Sequence, residues 1–368
     1  MSENNTIPVK ELRQLKNLFD KGILTQDEYS RKKKQLLGIP IESAENEPVE
    51  KEPAEKEPEP AGDIITKEEQ YGEAWMMINS SLEDALAIFE KLDKEDFIEA
   101  TIALAMFTSD KDKRKALIKK ASDNRNAEGM WQYSSQMPHS HVPNFDNEND
   151  SDWAEQVFTA AYLGSADAMN ESGNIYHRLG SYDESMYWYV MANAHDHDDA
   201  NVSMDGLASE WNRAGRPYVQ NLDDDDEYKC AMMYLELHAG LKPKASLEEI
   251  ISATLNGTTI AGYLAGDILE AQGDFASAYK MYNALCYEGD AHAMRCCADM
   301  IMSGRMGAVD IEKARKLYSK AADGGEVAAM FVMGEMLRKE NKKLAAYYYG
   351  MAHARGYKLA YGRLMKLQ

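Results

Sequence analysis

No window of the sequence reaches the roughly 18 uninterrupted apolar residues that a membrane-spanning helix needs. The opening MSENNTIPVK is polar where a secretory signal is apolar, so a cytoplasmic location is expected. Cysteine is scarce: Cys230, Cys286, Cys296 and Cys297 are the 4 in 368 residues, and no two stand in CxxC spacing. That disfavours a disulfide framework or a zinc ribbon and leaves buried free thiols as the plain reading. Positive charge is outnumbered, 41 Lys and Arg against 62 Asp and Glu. The formal net charge of −21 repels nucleic-acid phosphates over most of the surface and favours basic or neutral partners. Also missing are the strings GxGxxG, GxxxxGK followed by Ser or Thr, HExxH and GxSxG. No catalytic centre, cofactor or metal site is expected.

What is present is enough apolar material, 44% hydrophobic residues beside 28% charged ones, to bury a core. The length is too great for one small globule and points to several units or an elongated array. Charge divides the chain into three materials. Residues 1–41 carry 8 basic against 5 acidic residues, 42–69 carry 3 against 11, and the remainder 30 against 46.

The first material reads as two helices. Leu12, Leu15, Leu18 and Phe19 form one apolar stripe that Gly22 ends, and a Thr25–Glu28 capping box opens a second helix with Tyr29, Lys33, Leu36 and Leu37. The segment ELRQLKNLFDKGILTQDEYSRKKKQLLG resembles a SHOCT module, covering nearly all of it. About 30 residues bury too little surface to stand alone, so the hairpin is expected to associate through Leu12, Leu15, Leu18, Phe19, Ile23, Leu24, Tyr29 and Leu36. The resemblance implies an oligomerisation or tethering element without enzyme chemistry. The basic run Arg31 to Lys34 reads as a solvated helix face, with nucleic acid or anionic lipid as the alternative contact. Residues 42–68, centred on PVEKEPAEKEPEPAG, lack the bulky apolar side chains that offset ordering entropy and read as a disordered, self-repelling linker.

From residue 69 to 368 the sequence repeats itself. Ala253, Gly257, Ala261 and Gly266 stand in the same register as Ala321, Gly325, Ala329 and Gly334, and the set recurs at Ala160, Gly164, Ala168 and Gly173. Turn positions fall at Arg125, Gly164, Asp196, Gly257, Gly289, Gly325 and Gly356, mostly 31–39 residues apart. A period of that length, with a helix on each side of a turn, predicts an all-α solenoid of helix–turn–helix repeats. Small residues let the helices cross closely, while the 22 Met and 21 Tyr read mainly as core filling between them. Capping boxes are expected at Ser80–Glu83, Ser181–Glu184 and Ser246–Glu249.

The stretches YDESMYWYVMANA, IEKARKLYSKAADGGEVAAMFVMGEML and LAAYYYGMAHARGYKLA resemble the Sel-one-like branch of the tetratricopeptide superfamily. Repeats are strongest over 246–368, weak over 69–150 and irregular around 205–246. The resemblance implies a concave face that holds a protein segment. The groove positions it implies are Asn170, Asn174 and His177, then Tyr263 and Asp267, then Arg295, Asp299, Phe331, Glu335 and Arg338.

Three clusters invite a metal and are read otherwise. His195, Asp196, His197, Asp198 and Asp199 occupy an inter-helix turn, where adjacent ligands do not converge on one ion. His139 and His141 lie in a polar loop ahead of a helix expected from near Trp153. Asp223 to Asp226 read as first-turn acids of a helix over Tyr228 to His238. The function expected is a non-enzymatic scaffold or adaptor for protein partners, with self-association or tethering through the hairpin; the alternative is a recruiter to nucleic acid or an anionic membrane.

Overall fold

The structure is a computed structural model that describes residues 65–216, 226–242 and 245–367. The described residues from 67 onward belong to one compact unit, which is separate from the segment before it. The expected hairpin, its association face, the acidic linker as far as residue 64 and Asp223 to Asp225 lie outside the described residues; at the expected end of the linker, Lys67 and Glu68 are already helical.

Among the described residues there are 18 helices and no strand. They are α1 (Lys67–Met77), α2 (Leu82–Lys94), α3 (Ile98–Phe107), α4 (Lys111–Asp123), α5 (Ala127–Ser134), α6 (Glu148–Tyr162), α7 (Ala166–Arg178), α8 (Tyr182–Ala194) and α9 (Ala200–Arg213). There follow α10 (Asp226–His238), α11 (Leu247–Leu255), α12 (Thr259–Ala271), α13 (Phe275–Tyr287), α14 (Ala291–Met302), α15 (Ile311–Asp323), α16 (Val327–Leu337), α17 (Lys342–Ala354) and α18 (Lys358–Leu364). None is long and apolar enough to cross a membrane.

Local chemistry explains the boundaries. All seven turn positions of the repeat register have left-handed backbone, with φ between 55° at Arg125 and 102° at Gly164. Each follows a helix C-terminus and hands its N–H back to the last turn, as Gly325 does to Ala322 O. Ser246 and Glu249 form a full capping box. The other two boxes do not form. The N-cap of α2 is Ser81, one residue later than expected, and its hydroxyl donates to Asp84. Ser181 caps α8 in position, but its side chain makes no capping bond. Helix α6 starts at Glu148, ahead of Trp153, because Asn147 accepts from the backbone of Asn149 and Asp150 and so supports a polar first turn.

Neighbouring helices pack in chain order, the pattern of an α-solenoid. In three of the first helices a glycine makes room for a tyrosine of the next helix. A Cβ at Gly173, Gly266 or Gly334 would strike the ring of Tyr189, Tyr282 or Tyr349 respectively. The irregular stretch keeps the stack going, since α10 packs on both α8 and α12.

The array also closes on itself. Helix α1 packs along α17, and one core cluster joins Tyr71, Trp75 and Phe89 to Tyr318, Met330, Tyr349 and Leu364. The crossing is tight because glycine sits on both sides: a Cβ at Gly72 would land on the Lys343 carbonyl, and one at Gly350 on the Trp75 indole. Asn341 donates to Glu69 at 2.7 Å and Lys343 to Glu73 at 3.0 Å along the same seam.

Candidate functional site

Hydrogen bonds at a stride of one repeat tie the first helices together. Ser203 of α9 donates to Asn170 of α7 at 3.3 Å, and His177 Nε2 lies 3.0 Å from Glu210. His238 of α10 meets Asp205 of α9 at 2.7 Å, and Tyr234 donates to Asp267 of α12 at 3.3 Å. Farther on, Tyr263 of α12 donates to Asp290 at the cap of α14, and Arg295 of α14 to Glu326 at the cap of α16. The result is a polar ladder along α7, α9, α10, α12, α14 and α16.

Most expected groove residues stand on this ladder, but many are engaged within the fold. The residue after each repeat glycine accepts the hydroxyl of the tyrosine that the glycine admits. Tyr189 donates to Asn174 at 2.8 Å, Tyr282 to Asp267 at 3.0 Å and Tyr349 to Glu335 at 2.8 Å. Tyr318 treats Asp299 in the same way at 2.6 Å. Burial pushes the hydroxyl of Tyr189 up to about 12 and raises the carboxyl of Asp267 above its ordinary range. Tyr263 is only 2% exposed and is an interior residue. Phe331 packs at a tilt against the rings of Tyr349 and Tyr357. Arg338 is open to solvent, 3.4 Å from Glu335, which Arg363 also reaches at 2.8 Å. Asp267, Arg295 and Asp299 share a cavity of about 400 Å³ with Tyr282, His292, Cys296 and Arg305. The other expected residues do not join them there.

Arg295 belongs to a buried hub that the sequence reading does not anticipate. Its centre is Glu326, fully buried at the N-terminus of α16, where the helix dipole favours a carboxylate. Arg295 Nε donates to Glu326, His292 Nδ1 lies 3.8 Å away, and His195 Nδ1 approaches at 3.3 Å without hydrogen-bond geometry. Burial raises the Glu326 carboxyl, but His195, His292 and Arg295 outweigh it and hold the group well below its usual range.

The His195 to Asp199 turn fans out to the elements around this centre. His195 faces Glu326, Asp196 lies 3.8 Å from Arg295, His197 pairs with Asp167 at 3.2 Å, and Asp198 pairs with Lys358. Turns from distant repeats therefore meet across the array, beside a cavity of about 640 Å³ lined by Asp167, Asp199, Arg355 and Lys358 among others. The only sequence signal for this role is a charged turn where the sister repeats carry glycine. No group of three or more His, Cys, Asp or Glu among the described residues is placed to hold a metal. His139 instead stacks on Trp153 with ring centroids 3.9 Å apart, and Asp150 accepts the N–H groups of Ser140 and Asn144 in that loop.

Comparison with known proteins adds three findings. A search of curated proteins found no match. Among solved structures, the chain is similar to a protective antigen of uropathogenic Escherichia coli strains displaying an SLR fold, at 18% identity over 80% of this chain and 70% of that one, with a TM-score of 0.33. It is likewise similar to a Sel1 repeat protein from Oxalobacter formigenes, at 18% identity over 85% of this chain and 98% of that one, with a TM-score of 0.33. Residues 10–37 match the SHOCT family, described as a short C-terminal domain, and the chain carries that module ahead of its helical array.

Proposed function

We propose that residues 67–367 form a protein-binding scaffold that holds a partner segment against the polar ladder of the first helices. The observation that carries this reading is the ladder itself. Its outer members stay accessible, with Glu210 side-chain exposure at 47%, Asp205 at 69% and Arg338 at 48%. Glu210 and Asp205 are also held by histidines one repeat away, and Arg338 by Glu335 of its own helix end, so a partner meets donors and acceptors that are already ordered. The accessible members are mostly acidic, which suits a basic or neutral segment. In this reading the SHOCT module supplies self-association or tethering.

The test is affinity capture with the full chain and with a variant carrying Arg338→Glu, Arg363→Glu and Asp205→Lys. A polypeptide retained by the parent and lost by the variant, while both melt alike, is the expected result. Capture of the same polypeptides in equal amounts by both proteins would remove the ladder as the binding face. Arg295 is unsuited to such a test, because reversing it breaks the hub.

A further inference from the structure

The chain is strongly acidic, yet residues 111–120, KDKRKALIKK, hold six basic residues against one acid. They form most of α4. Three of the six are neutralised locally: Lys113 pairs with Glu90 at 3.2 Å, Lys119 with Asp123 at 2.8 Å and Lys120 with Asp93 at 2.9 Å. The other three, Lys111, Arg114 and Lys115, are exposed and pair with no acid among the described residues. They stand together on the wall of a groove of about 490 Å³ between α4, α5 and the end of α3.

The rest of that groove is matched to peptide. Its floor is apolar, the buried Ile118 and the half-buried Met106, and its far wall carries the side chains of Gln132, Ser135 and Gln136. One acid, Asp112, also faces it. None of these residues belongs to the ladder or the hub.

We infer that this groove is a second interaction surface, one that takes a short acidic peptide segment bearing an apolar side chain. Three unneutralised cations attract the carboxylates, the Met106 and Ile118 floor accepts the apolar group, and the amide side chains can bond the peptide backbone. Size and charge select against a nucleic acid. Long polyanions reaching beyond α4 run onto a surface of net negative charge, whereas a segment of a few residues stays within the basic patch. The groove shares no residue with the ladder, so the inference is independent of the ladder reading.

The probes are a labelled Glu-Glu-Leu-Glu-Glu peptide, its Gln-Gln-Leu-Gln-Gln counterpart, its Leu→Ala form and a short single-stranded oligonucleotide. Binding to the full chain is followed by fluorescence anisotropy at low and physiological salt. The acidic peptide is expected to bind, the Gln form not to bind, and the Leu→Ala form to bind more weakly. The variant Lys111→Gln, Arg114→Gln, Lys115→Gln should lose about ten-fold in affinity, the order expected for three surface ion pairs, without a change in melting. Arg338→Glu should leave this binding unchanged. The inference is overturned by absence of acidic-peptide binding at low salt, by equal binding in the triple variant, by indifference to Leu→Ala, or by tighter binding of the oligonucleotide than of the peptide.

Discussion

Replacing Gly72 by alanine tests the closure of the array at its tightest point. Inside a helix this change normally stabilises by about 1 kcal/mol, because glycine loses more backbone entropy on folding. At Gly72 the added Cβ falls on the Lys343 carbonyl and 2.8 Å from the Tyr347 nitrogen, both backbone atoms of α17. A carbon–oxygen contact settles at about 3.3 Å or more, so α1 and α17 must part by more than about 1 Å. A gap of that size forfeits up to about half the dispersion energy of the atoms it separates. Those atoms include Tyr71, Trp75, Phe89 and Tyr349, each less than 2% exposed. Overpacking of this kind costs about 3 kcal/mol, which leaves a net loss of about 2 kcal/mol after the propensity gain. At about 2–4 °C per kcal/mol for a large domain, the melting temperature should fall by about 4–8 °C. Gly206 provides the control, since it lies within α9 with nothing inside 4 Å of an added methyl group, and Gly206→Ala should raise the melting temperature by a few degrees. Hydrogen exchange should show protection lost in α1, α2 and α17 and kept in α7 and α8. A Gly72→Ala protein that melts at or above the parent would refute the tight closure.

Three further outcomes are expected. Glu326→Gln should destabilise by about 3–5 kcal/mol near pH 7 in urea unfolding, because it leaves Arg295 and the two histidines facing a neutral group. The lowered pKa of Glu326 contributes stability above the unfolded value of about 4.3, and that contribution is lost as pH falls through the lower folded value. The gap between parent and Glu326→Gln should therefore narrow in acid; a gap that stays constant down to pH 3 contradicts the hub assignment. Ser246→Ala should cost about 1 kcal/mol through loss of the capping box, while Ser181→Ala, whose hydroxyl makes no capping bond, should cost far less. Leu15→Asp with Leu18→Asp should abolish any self-association of the full chain seen by sedimentation; an unchanged mass in a self-associating parent would separate the SHOCT stripe from oligomerisation.

The features legible in the sequence are those encoded within one repeat. A left-handed turn needs glycine or a tolerant polar residue, so Gly257 or Gly325 marks its own place and the register follows. The glycine–tyrosine pairs are legible for the same reason, since a missing side chain and a large one sit a fixed distance apart along the chain. Closure is not of this kind. Gly72 and Lys343 are separated by nearly the whole array, and Gly72 reads locally as an ordinary small residue of a weak repeat. Glu326 likewise reads as a poor N-cap until distant turns bring His195, His292 and Arg295 around it. The groove positions illustrate both cases: Asn174 and Asp267 follow their repeat glycines and accept the hydroxyl of the tyrosine each glycine admits, a pairing within one repeat, while Tyr263 is turned into the core.

Closure also sets an order of events during synthesis. The first helix of the array is made early, but the surface that covers its Gly72 face lies about 270 residues farther on. At about 5–20 residues per second the ribosome delivers α17 roughly 15–55 s later. During that interval the emerging repeats can stack from α2 onward, each on its newly made neighbour, while one flank of α1 waits with Tyr71 and Trp75 uncovered. Until α17 is made, the nascent array is thus an open spiral with a sticky leading edge, and docking of α17 on α1 is the step that retires it.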